Sequence, residues 1–348
     1  MDILLQSVTK SFGKLTVLDG LDLSFPHGKL TALLGPSGCG KTTILNLIVG
    51  VLHPDRGRVL FGDRDMTQVH LSKRNIGYVF QNYALYPNMT AYENLKFPLT
   101  NHPIPGATRS QRREFYDSRI HGIAKLLRIE DTLNRYPSEL SGGQQQRVAL
   151  GRALIRKPDI LLMDEPFANL DRKLSIQMRE EIRQIQQQTG ITTIFVTHNQ
   201  SDANAISDRV VLLNEGTVQQ EGSPSLLYEE PANLFVADFF GEHGSNIVPL
   251  EALIPYCPTL HATTPPRAVT VAFRPEDLSL IPGNGPFTVT GMTRMGGSYL
   301  HQLRCGELHL QSMTSAGSPP GTHVSILLQP EHISFYDGEG RRIVPQEG

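Results

Sequence analysis

Residues 140–147 read Leu140-Ser141-Gly142-Gly143-Gln144-Gln145-Gln146-Arg147, and this stretch gives meaning to the other motifs of the chain. Ser141 stands where a helix N-cap would, since apolar residues then recur at roughly helical spacing. Helix N-termini carry unpaired N–H groups and a partial positive charge, so they bind phosphate. Gly142 and Gly143 allow the backbone to approach an anion closely. The stretch alone predicts either an anion-binding helix N-terminus or a plain capped helix after a glycine turn.

A second glycine-rich stretch lies about a hundred residues earlier and reads Gly35-Pro36-Ser37-Gly38-Cys39-Gly40-Lys41-Thr42-Thr43. It is a complete G-x-x-x-x-G-K-[ST] phosphate loop, preceded by an apolar strand pattern at 29–34 and followed by an apolar helix pattern. In such a loop backbone N–H groups wrap the phosphates, Lys41 reaches the β and γ oxygens, and Thr42 can ligate Mg²⁺. The loop therefore predicts that the chain binds a nucleoside triphosphate.

The third motif follows the glycine-containing stretch by about twenty residues and reads Ile160-Leu161-Leu162-Met163-Asp164-Glu165-Pro166. Asp164 ends an apolar strand and can hold the Mg²⁺ shell. Glu165 follows directly, where a carboxylate can accept the proton of an attacking water. Glu165 is therefore the candidate general base.

These three motifs resemble those of the ATP-binding cassette (ABC) family. The resemblance implies a head-to-tail homodimer in which each ATP lies between the phosphate loop of one chain and the LSGGQ stretch of the other. It implies ATP and Mg²⁺ as cofactors. The implied nucleotide-binding residues are Gly35, Pro36, Ser37, Gly38, Cys39, Gly40, Lys41, Thr42 and Thr43 in one chain and Ser141, Gly142, Gly143 and Gln144 in its partner.

Single residues outside these three motifs also match positions of the ABC family. Phe12 matches an aromatic that stacks on adenine, and Val17 matches a neighbouring apolar contact. Gln81 matches the Q-loop glutamine, which reaches the Mg²⁺ and the attacking water. Asp171 matches the D-loop, and His198 matches the switch histidine that contacts the γ-phosphate. Lys41, Gln81, Glu165 and His198 are thus the predicted catalytic set, with Thr42, Gln81 and Asp164 around the metal.

Two residues depart from the family pattern. Ala168 stands where the D-loop more often begins with Ser, and Asn199 stands where Asp usually follows the switch histidine. Asn199 removes one negative charge near the site, but Asn also caps helices well. We expect an altered rate or helix capping there, with the chemistry retained.

Composition limits the class of protein. The chain has 348 residues, 39% of them hydrophobic, and a formal net charge of −2, so bulk charge does not favour a nucleic-acid partner. No run of eighteen apolar residues occurs, the N-terminus lacks signal-peptide features, and the three cysteines are far apart. We expect a cytosolic chain whose membrane role is peripheral.

The domain organisation follows from a change of pattern near residue 241. Residues 1–241 fit an α/β P-loop NTPase of the ABC type, with a helical subdomain at about 88–158. Residues 242–348 have more Pro and Gly and short β patterns, which predict an all-β barrel. This part resembles the OB-like (TOBE) regulatory domain of importer ATPases. It contains a weak internal echo, Phe273 to Ser279 against Leu328 to Ser334.

The resemblance implies an ATPase that energises a bacterial-type solute importer from the cytoplasmic face of the membrane. The implied partners are two transmembrane permease subunits, contacted through the Q-loop and helical subdomain, and an extracytoplasmic solute-binding protein. The stretch 80–87, with Asn82, looks most like sugar-importer relatives, so a carbohydrate or polyol is favoured. Iron(III), polyamine and oxyanion solutes stay open. An exporter ATPase and a cytosolic ABC protein acting on nucleic acid or ribosomes are the alternatives, and direct nucleic-acid binding is not expected.

Overall fold

The computed structural model describes residues 1–100, 106, 108–258, 260 and 264–344. The chain divides into two compact units, Met1–Glu221 and Gly222–Gly348. Among the described residues, no helix is both long and apolar enough to cross a bilayer.

The first unit alternates strands and helices. In chain order its elements are β1 (Ile3–Phe12), β2 (Leu15–Phe25), β3 (Leu30–Leu34), α1 (Lys41–Val49), β4 (Arg56–Phe61), β5 (Arg64–Asp65), β6 (Ile76–Val79), α2 (Ala91–Thr100), α3 (Arg109–Leu127), α4 (Gly142–Leu154), β7 (Ile160–Asp164), α5 (Arg172–Thr189), β8 (Thr192–Thr197), α6 (Gln200–Ile206), β9 (Arg209–Asn214) and β10 (Thr217–Gly222).

The main sheet brings the predicted motifs to one edge. Its spatial order is β10-β9-β3-β8-β7-β6, and the pairs β9–β3, β3–β8, β8–β7 and β7–β6 are parallel. Residues of β3 and β8 are buried throughout, as expected for strands covered on both faces. The carboxyl ends of β3, β7 and β8 lead into the phosphate loop, Glu165 and His198 respectively, so these three lie at the same edge.

A second, antiparallel sheet covers this core. Its order is β2-β1-β4-β5, and the antiparallel pair of β4 and β5 forms one edge. Alternate side chains of β1 and β2, among them Ile3, Leu5 and Phe25, pack on α1 and on the main sheet. The period-2 pattern of the sequence thus gives one buried face.

Helices α2, α3 and α4 pack on one another within the predicted helical range 88–158. Gly151 of α4 permits this contact, because a Cβ there would lie 2.8 Å from a methyl of Leu95 and 2.9 Å from one of Leu127. Thr108 caps α3 in a capping box with Gln111.

The second unit is mainly β. Its elements are α7 (Pro224–Glu229), α8 (Leu234–Phe239), β11 (Asn246–Pro249), α9 (Leu250–Leu253), β12 (Thr270–Phe273), β13 (Ser279–Met295), β14 (Ser298–Cys305), β15 (Leu308–Thr314), β16 (His323–Leu327), β17 (Ser334–Tyr336) and β18 (Arg342–Ile343).

The strands of the second unit enclose one apolar core. They are divided between two antiparallel sheets, β11-β12-β17-β18 and β15-β14-β13-β16. Buried side chains of both sheets, such as Val271, Phe287 and Phe335, share that core. The predicted fold class, a P-loop NTPase followed by an all-β OB-like domain, is confirmed, although these strands lie in two sheets where the sequence predicted a barrel.

The division between the units falls before the boundary predicted at Gly241. The reason is that α7 and α8 pack with the following strands. Arg274, which is 6% exposed, donates to the carbonyls of Ala237 at 2.8 Å and Tyr228 at 3.1 Å. Tyr336 donates to the carbonyl of Pro231 at 3.2 Å. These bonds tie residues 222–241 to the C-terminal unit.

The internal sequence echo corresponds to a repeated turn. Residues Pro275–Asp277 and Pro330–His332 each form a 3₁₀ turn that begins with proline. The equivalent last residues face each other, with His332 Nδ1 3.2 Å from Asp277 Oδ1. The C-terminal unit therefore uses one turn design twice.

Candidate functional site

The phosphate loop between β3 and α1 requires glycine at two close approaches. Gly35 has φ +151°, and a Cβ there would lie 2.2 Å from the carbonyl oxygen of Leu213. Gly40 has φ +107° and precedes the first residue of α1, and its Cβ would lie 2.9 Å from a methyl of Leu18. The loop thus wraps tightly before the helix N-terminus, as a phosphate cradle does.

Lys41, the first residue of α1, extends its side chain back into this loop. Its side chain is largely buried, and its Nζ donates to the carbonyls of Gly35 at 2.7 Å and Pro36 at 2.8 Å. Thr42 follows in the first turn of α1 and is exposed, while Thr43 is half-buried. The loop therefore presents one fixed ammonium and one accessible hydroxyl at the sheet edge.

Asp164 ends β7 beside this loop. Burial raises the pKa of its carboxyl, and the adjacent charge of Glu165 raises the pKa further. A hydrogen bond from the Tyr78 hydroxyl at 3.5 Å and the charge of Lys41 act in the opposite direction. A carboxylate in this surrounding gains from a nearby cation, which fits the predicted role of Asp164 at a metal.

Glu165 contacts two of the other predicted catalytic residues. Gln81 Nε2 donates to its Oε2 at 2.9 Å, and His198 Nδ1 lies 3.1 Å from its Oε1. Its own N–H donates to the carbonyl of Val196 in β8 at 3.1 Å. Glu165 has φ +45°, a left-handed conformation that is rare for residues other than glycine and is often retained at functional sites. The structure therefore brings together residues that are 33 and 84 positions apart.

The LSGGQ stretch forms the predicted helix N-terminus. Ser141 caps α4, and its side chain and that of Gln144 form a capping box. Ser141 and Gly142 are exposed. Gly143 is buried, and a Cβ there would lie 2.8 Å from both terminal methyls of Leu174. The α4 N-terminus is thus a capped, partly exposed helix end in which Gly143 leaves room for Leu174.

Three further residues, Phe12, Val17 and Asp171, were predicted to contact the nucleotide. Phe12 is 47% exposed, with Lys10 Nζ 5.7 Å from its ring centroid. Val17 packs beside Gly40, where a Cβ would lie 3.5 Å from its methyl. Asp171 caps α5, accepting from the N–H of Leu174 at 3.0 Å. An exposed aromatic suits base stacking, whereas the contact seen for Asp171 is a helix cap.

Asn199, the departure after the switch histidine, caps α6. Its side chain accepts from the N–H of Ser201 at 2.8 Å. The helix capping expected from the sequence is therefore present.

Three side chains at the site were missed by the sequence analysis. Asn169 donates to the carbonyl of Gln81 at 2.8 Å. Gln146 of α4, which is buried, donates to the carbonyl of Pro166 at 2.7 Å. Tyr78 donates to Asp164, as described above. Only the strand alternation around Tyr78 offered a signal, since an amide bonded to a distant carbonyl leaves no pattern in sequence.

A fourth missed residue supports the Q-loop. Tyr83 and Ala84 have φ of +61° and +46°, so two successive non-glycine residues are left-handed. Arg152 of α4 donates to the carbonyls of Ala84 at 2.7 Å and Tyr83 at 2.9 Å. Its guanidinium lies 5.4 Å from the ring centroid of Tyr86. Arg152 therefore holds the turn that follows Gln81 in an otherwise unfavourable conformation.

Comparisons with known proteins agree with this geometry. A family model described as ABC transporter matches residues 18–168. The sn-glycerol-3-phosphate import ATP-binding protein UgpC of Brucella abortus is 43% identical over 354 residues, which cover 98% of this chain and 99% of that protein. The trehalose/maltose import ATP-binding protein MalK of Thermococcus litoralis is 46% identical over 72% of this chain and 66% of that protein. The Fe(3+) ions import ATP-binding protein FbpC of Brucella suis is 43% identical over 80% of each.

Solved structures give the same result for about two thirds of the chain. A dimeric bacterial ABC transporter cassette, MJ0796, matches with a TM-score of 0.56 and 33% identity, covering 64% of this chain and 98% of that one. The same cassette in a dimeric post-hydrolysis state bound to ADP and Pi matches with a TM-score of 0.55. Since one relative spans nearly the whole chain, the chain belongs to the ATP-binding cassette family, as an ATPase in the group of import ATP-binding proteins.

Proposed function

We propose that this chain hydrolyses ATP in a head-to-tail homodimer and so energises solute import through two transmembrane subunits. The observation that carries the proposal is the contact of Glu165 with both Gln81 and His198 at the carboxyl edge of the parallel sheet. A general base must lie within hydrogen-bond reach of the attacking water. The two contacts would hold the Glu165 carboxylate in position for that role. The neighbouring Lys41 provides a positive charge for the phosphates.

Each side chain then has a distinct task in hydrolysis. Glu165 accepts a proton from the water while Gln81 and His198 orient its carboxylate, and His198 contacts the γ-phosphate. Lys41 donates to the β and γ oxygens, and charge-assisted bonds of this kind stabilise developing negative charge. Thr42, Asp164 and Gln81 would hold Mg²⁺, which usually takes one or two carboxylates together with phosphates and waters. When bound, Mg²⁺ would neutralise phosphate charge.

The second half of each ATP site comes from the partner subunit in this proposal. The exposed N-terminus of α4 at Ser141 offers N–H groups and positive dipole to the γ-phosphate of the facing subunit. The dimeric form of the similar cassette supports the arrangement. ATP binding would close the dimer, and hydrolysis would reopen it, so that ligand affinity biases a two-state element.

Ser141→Arg tests the dimer directly. We expect the variant to bind ATP as a monomer with unchanged affinity but to lose ATP-dependent dimerisation, because the bulky side chain would occupy the phosphate's position. Size-exclusion chromatography with light scattering in a Glu165→Gln background measures the effect. Ser110→Arg, at an exposed position of α3, is the charge-matched control. A Ser141→Arg variant that still dimerises with ATP would exclude the head-to-tail arrangement.

Coupling to membrane subunits would pass through the Q-loop and the helical subdomain, which are joined by Arg152. The chain would then lie at the cytoplasmic face of the membrane as a peripheral subunit. The import names of the relatives support this reading. They give no support to an ABC protein acting on nucleic acid or ribosomes.

The solute class that we propose is a carbohydrate or polyol, including polyol phosphates. The relative that aligns over 98% of the chain carries the name of a glycerol-phosphate importer, and another carries that of a trehalose/maltose importer. An iron-importer relative aligns over 80% of the chain. Transport assays must therefore include iron(III), polyamines and sulfate beside sugars and polyols.

Affinity purification of the tagged chain from its native membranes in mild detergent tests the import function. We expect multi-span subunits to co-purify, and the reconstituted complex with its solute-binding protein to import the solute in an ATP-dependent way. Purification of the chain alone, or together with ribosomes or DNA, would leave the ATPase assignment intact and overturn the transport function.

A further inference from the structure

The turn that carries His198 rests on a buried hydroxyl. Thr197 ends β8 and is 3% exposed. Its Oγ1 accepts from the N–H of Asn199 at 3.0 Å and donates to Oδ2 of Asp202 at 3.1 Å. One hydroxyl thus joins the residue before His198, the residue after it and the first turn of α6.

A buried ion pair continues this connection to α5. Arg179 Nε lies 2.9 Å from Asp202 Oδ1, and the two side chains are 15% and 6% exposed. Arg179 also donates to Ser175 Oγ at 3.2 Å within α5 and reaches the carbonyl of Ser201 at 3.5 Å. Burial raises the pKa of the Asp202 carboxyl, and the charge of Arg179 is the main opposing influence. A buried carboxylate of this kind needs its cation, so the two residues act as a unit.

The side chain of His198 is poorly held by packing. It is 61% exposed, and its described contact is the 3.1 Å approach to Glu165. Since solvent surrounds most of the ring, its position depends on the backbone turn between β8 and α6. Whatever fixes that turn therefore fixes the histidine.

We propose that Thr197, Asp202 and Arg179 are positioning residues for His198, which tie the switch-histidine turn to helix α5. Helix α5 is capped by Asp171, which closely follows Asn169, the donor to the Gln81 carbonyl. The connection therefore links the D-loop side of the site to His198. This inference rests on the proposed role of His198 at the γ-phosphate.

The carboxylate and hydroxyl do more than fill the core. A buried ion pair can often be replaced by apolar residues of similar volume without loss of stability. A buried charge pair with a shared hydroxyl is therefore poorly explained by stability alone. The three groups instead give the turn a single geometry, which a catalytic contact needs within about half an ångström.

Thr197→Val and Thr197→Ser form the matched test. Valine keeps the shape of threonine but removes the hydroxyl, whereas serine keeps the hydroxyl. We expect kcat for ATP hydrolysis to fall about tenfold in Thr197→Val with KM for ATP unchanged, because small misplacements of catalytic groups are costly in rate. Thr197→Ser should stay within about twofold of the parent. Rates are expressed per ATP site titrated, so that misfolded protein does not count.

The dependence on His198 separates positioning from stability. Asp202→Asn should lower kcat about tenfold in the parent chain and less than about twofold in a His198→Ala background, because the two changes act through the same group. An equal fall in both backgrounds, a change confined to KM, or a failure of both Thr197→Val and Asp202→Asn to fold would overturn the proposal. If His198→Ala itself turned over ATP normally, the proposed role of His198 would fail first.

Discussion

Glu165→Gln is expected to lower kcat for ATP hydrolysis by about 10²- to 10⁴-fold, the range that general-base catalysis contributes. Glutamine retains the shape of the side chain and can keep contacts with Gln81 and His198, which now lie 2.9 and 3.1 Å from the two carboxylate oxygens. It cannot accept the proton of the water. ATP binding should therefore survive, and a dimer with trapped ATP should accumulate. Phosphate release measures the turnover, and light scattering measures the dimer.

Glu180→Gln is the matched control for this change. Glu180 is exposed on α5, so the substitution removes the same charge from the same unit without entering the site. Its kcat should equal that of the parent. Normal turnover in Glu165→Gln would show that another group activates the water, and the assignment of Glu165 would have to be abandoned.

Lys41→Ala should produce the second large effect, on binding as well as on rate. A hydrogen bond from a charged donor contributes about 1.5–3 kcal/mol, so ATP affinity should fall about 10- to 100-fold. Loss of a donor that stabilises developing charge should lower kcat by a further 10²- to 10³-fold, roughly. Isothermal titration calorimetry of ATP and single-turnover hydrolysis separate the two losses.

Two further variants show whether the effect of Lys41→Ala is specific to this site and whether it depends on charge alone. Lys125→Ala removes an exposed lysine of α3 and should leave both quantities unchanged. Lys41→Arg keeps the positive charge, but the largely buried space that Lys41 shares with the carbonyls of Gly35 and Pro36 suits a compact ammonium better than a planar guanidinium. We expect Lys41→Arg to behave like the alanine variant. If it retained full activity, charge alone would explain the role of Lys41.

The catalytic edge could be predicted from sequence because its residues follow strands. Asp164 ends an apolar β pattern and Glu165 follows it, and the carboxyl ends of parallel strands lie at one edge of a sheet. His198 also follows such a pattern, but its role was predicted from the family resemblance. The phosphate loop could also be predicted from sequence, because its glycines and Lys41 lie in one short stretch. The positions of Gln81 and Phe12 came from family resemblance, because a single glutamine or aromatic beside a strand carries no specific signal.

The supporting contacts could not be predicted in the same way. Arg152 and Gln146 bind backbone carbonyls of distant segments, and any residue type can offer a carbonyl. Their partners are therefore invisible in composition or periodicity. Asp202 and Arg179 are similar, because a charged residue on a helix usually faces solvent, whereas these two pair with each other and are only 6% and 15% exposed.

The division between the units shows a further limit of composition. Residues 222–241 contain helix patterns like those of the cassette, whereas the increase in Pro and Gly comes later. The packing does not follow this composition, because the buried Arg274 donates hydrogen bonds to two backbone carbonyls of this segment. A domain boundary is set by where contacts are made, and the bonds from Arg274 and Tyr336 join this segment to the C-terminal unit.

The support that Arg152 gives to Tyr83 and Ala84 has a consequence for protein engineering. Two successive left-handed residues cost roughly 1–2 kcal/mol each, and the loop bears this cost while the arginine holds its carbonyls. Exchange of the segment 80–87 between transporters, in order to graft a new membrane partner, would therefore move only half of a unit. A chimera designed from this chain should carry the loop and the arginine of α4 together.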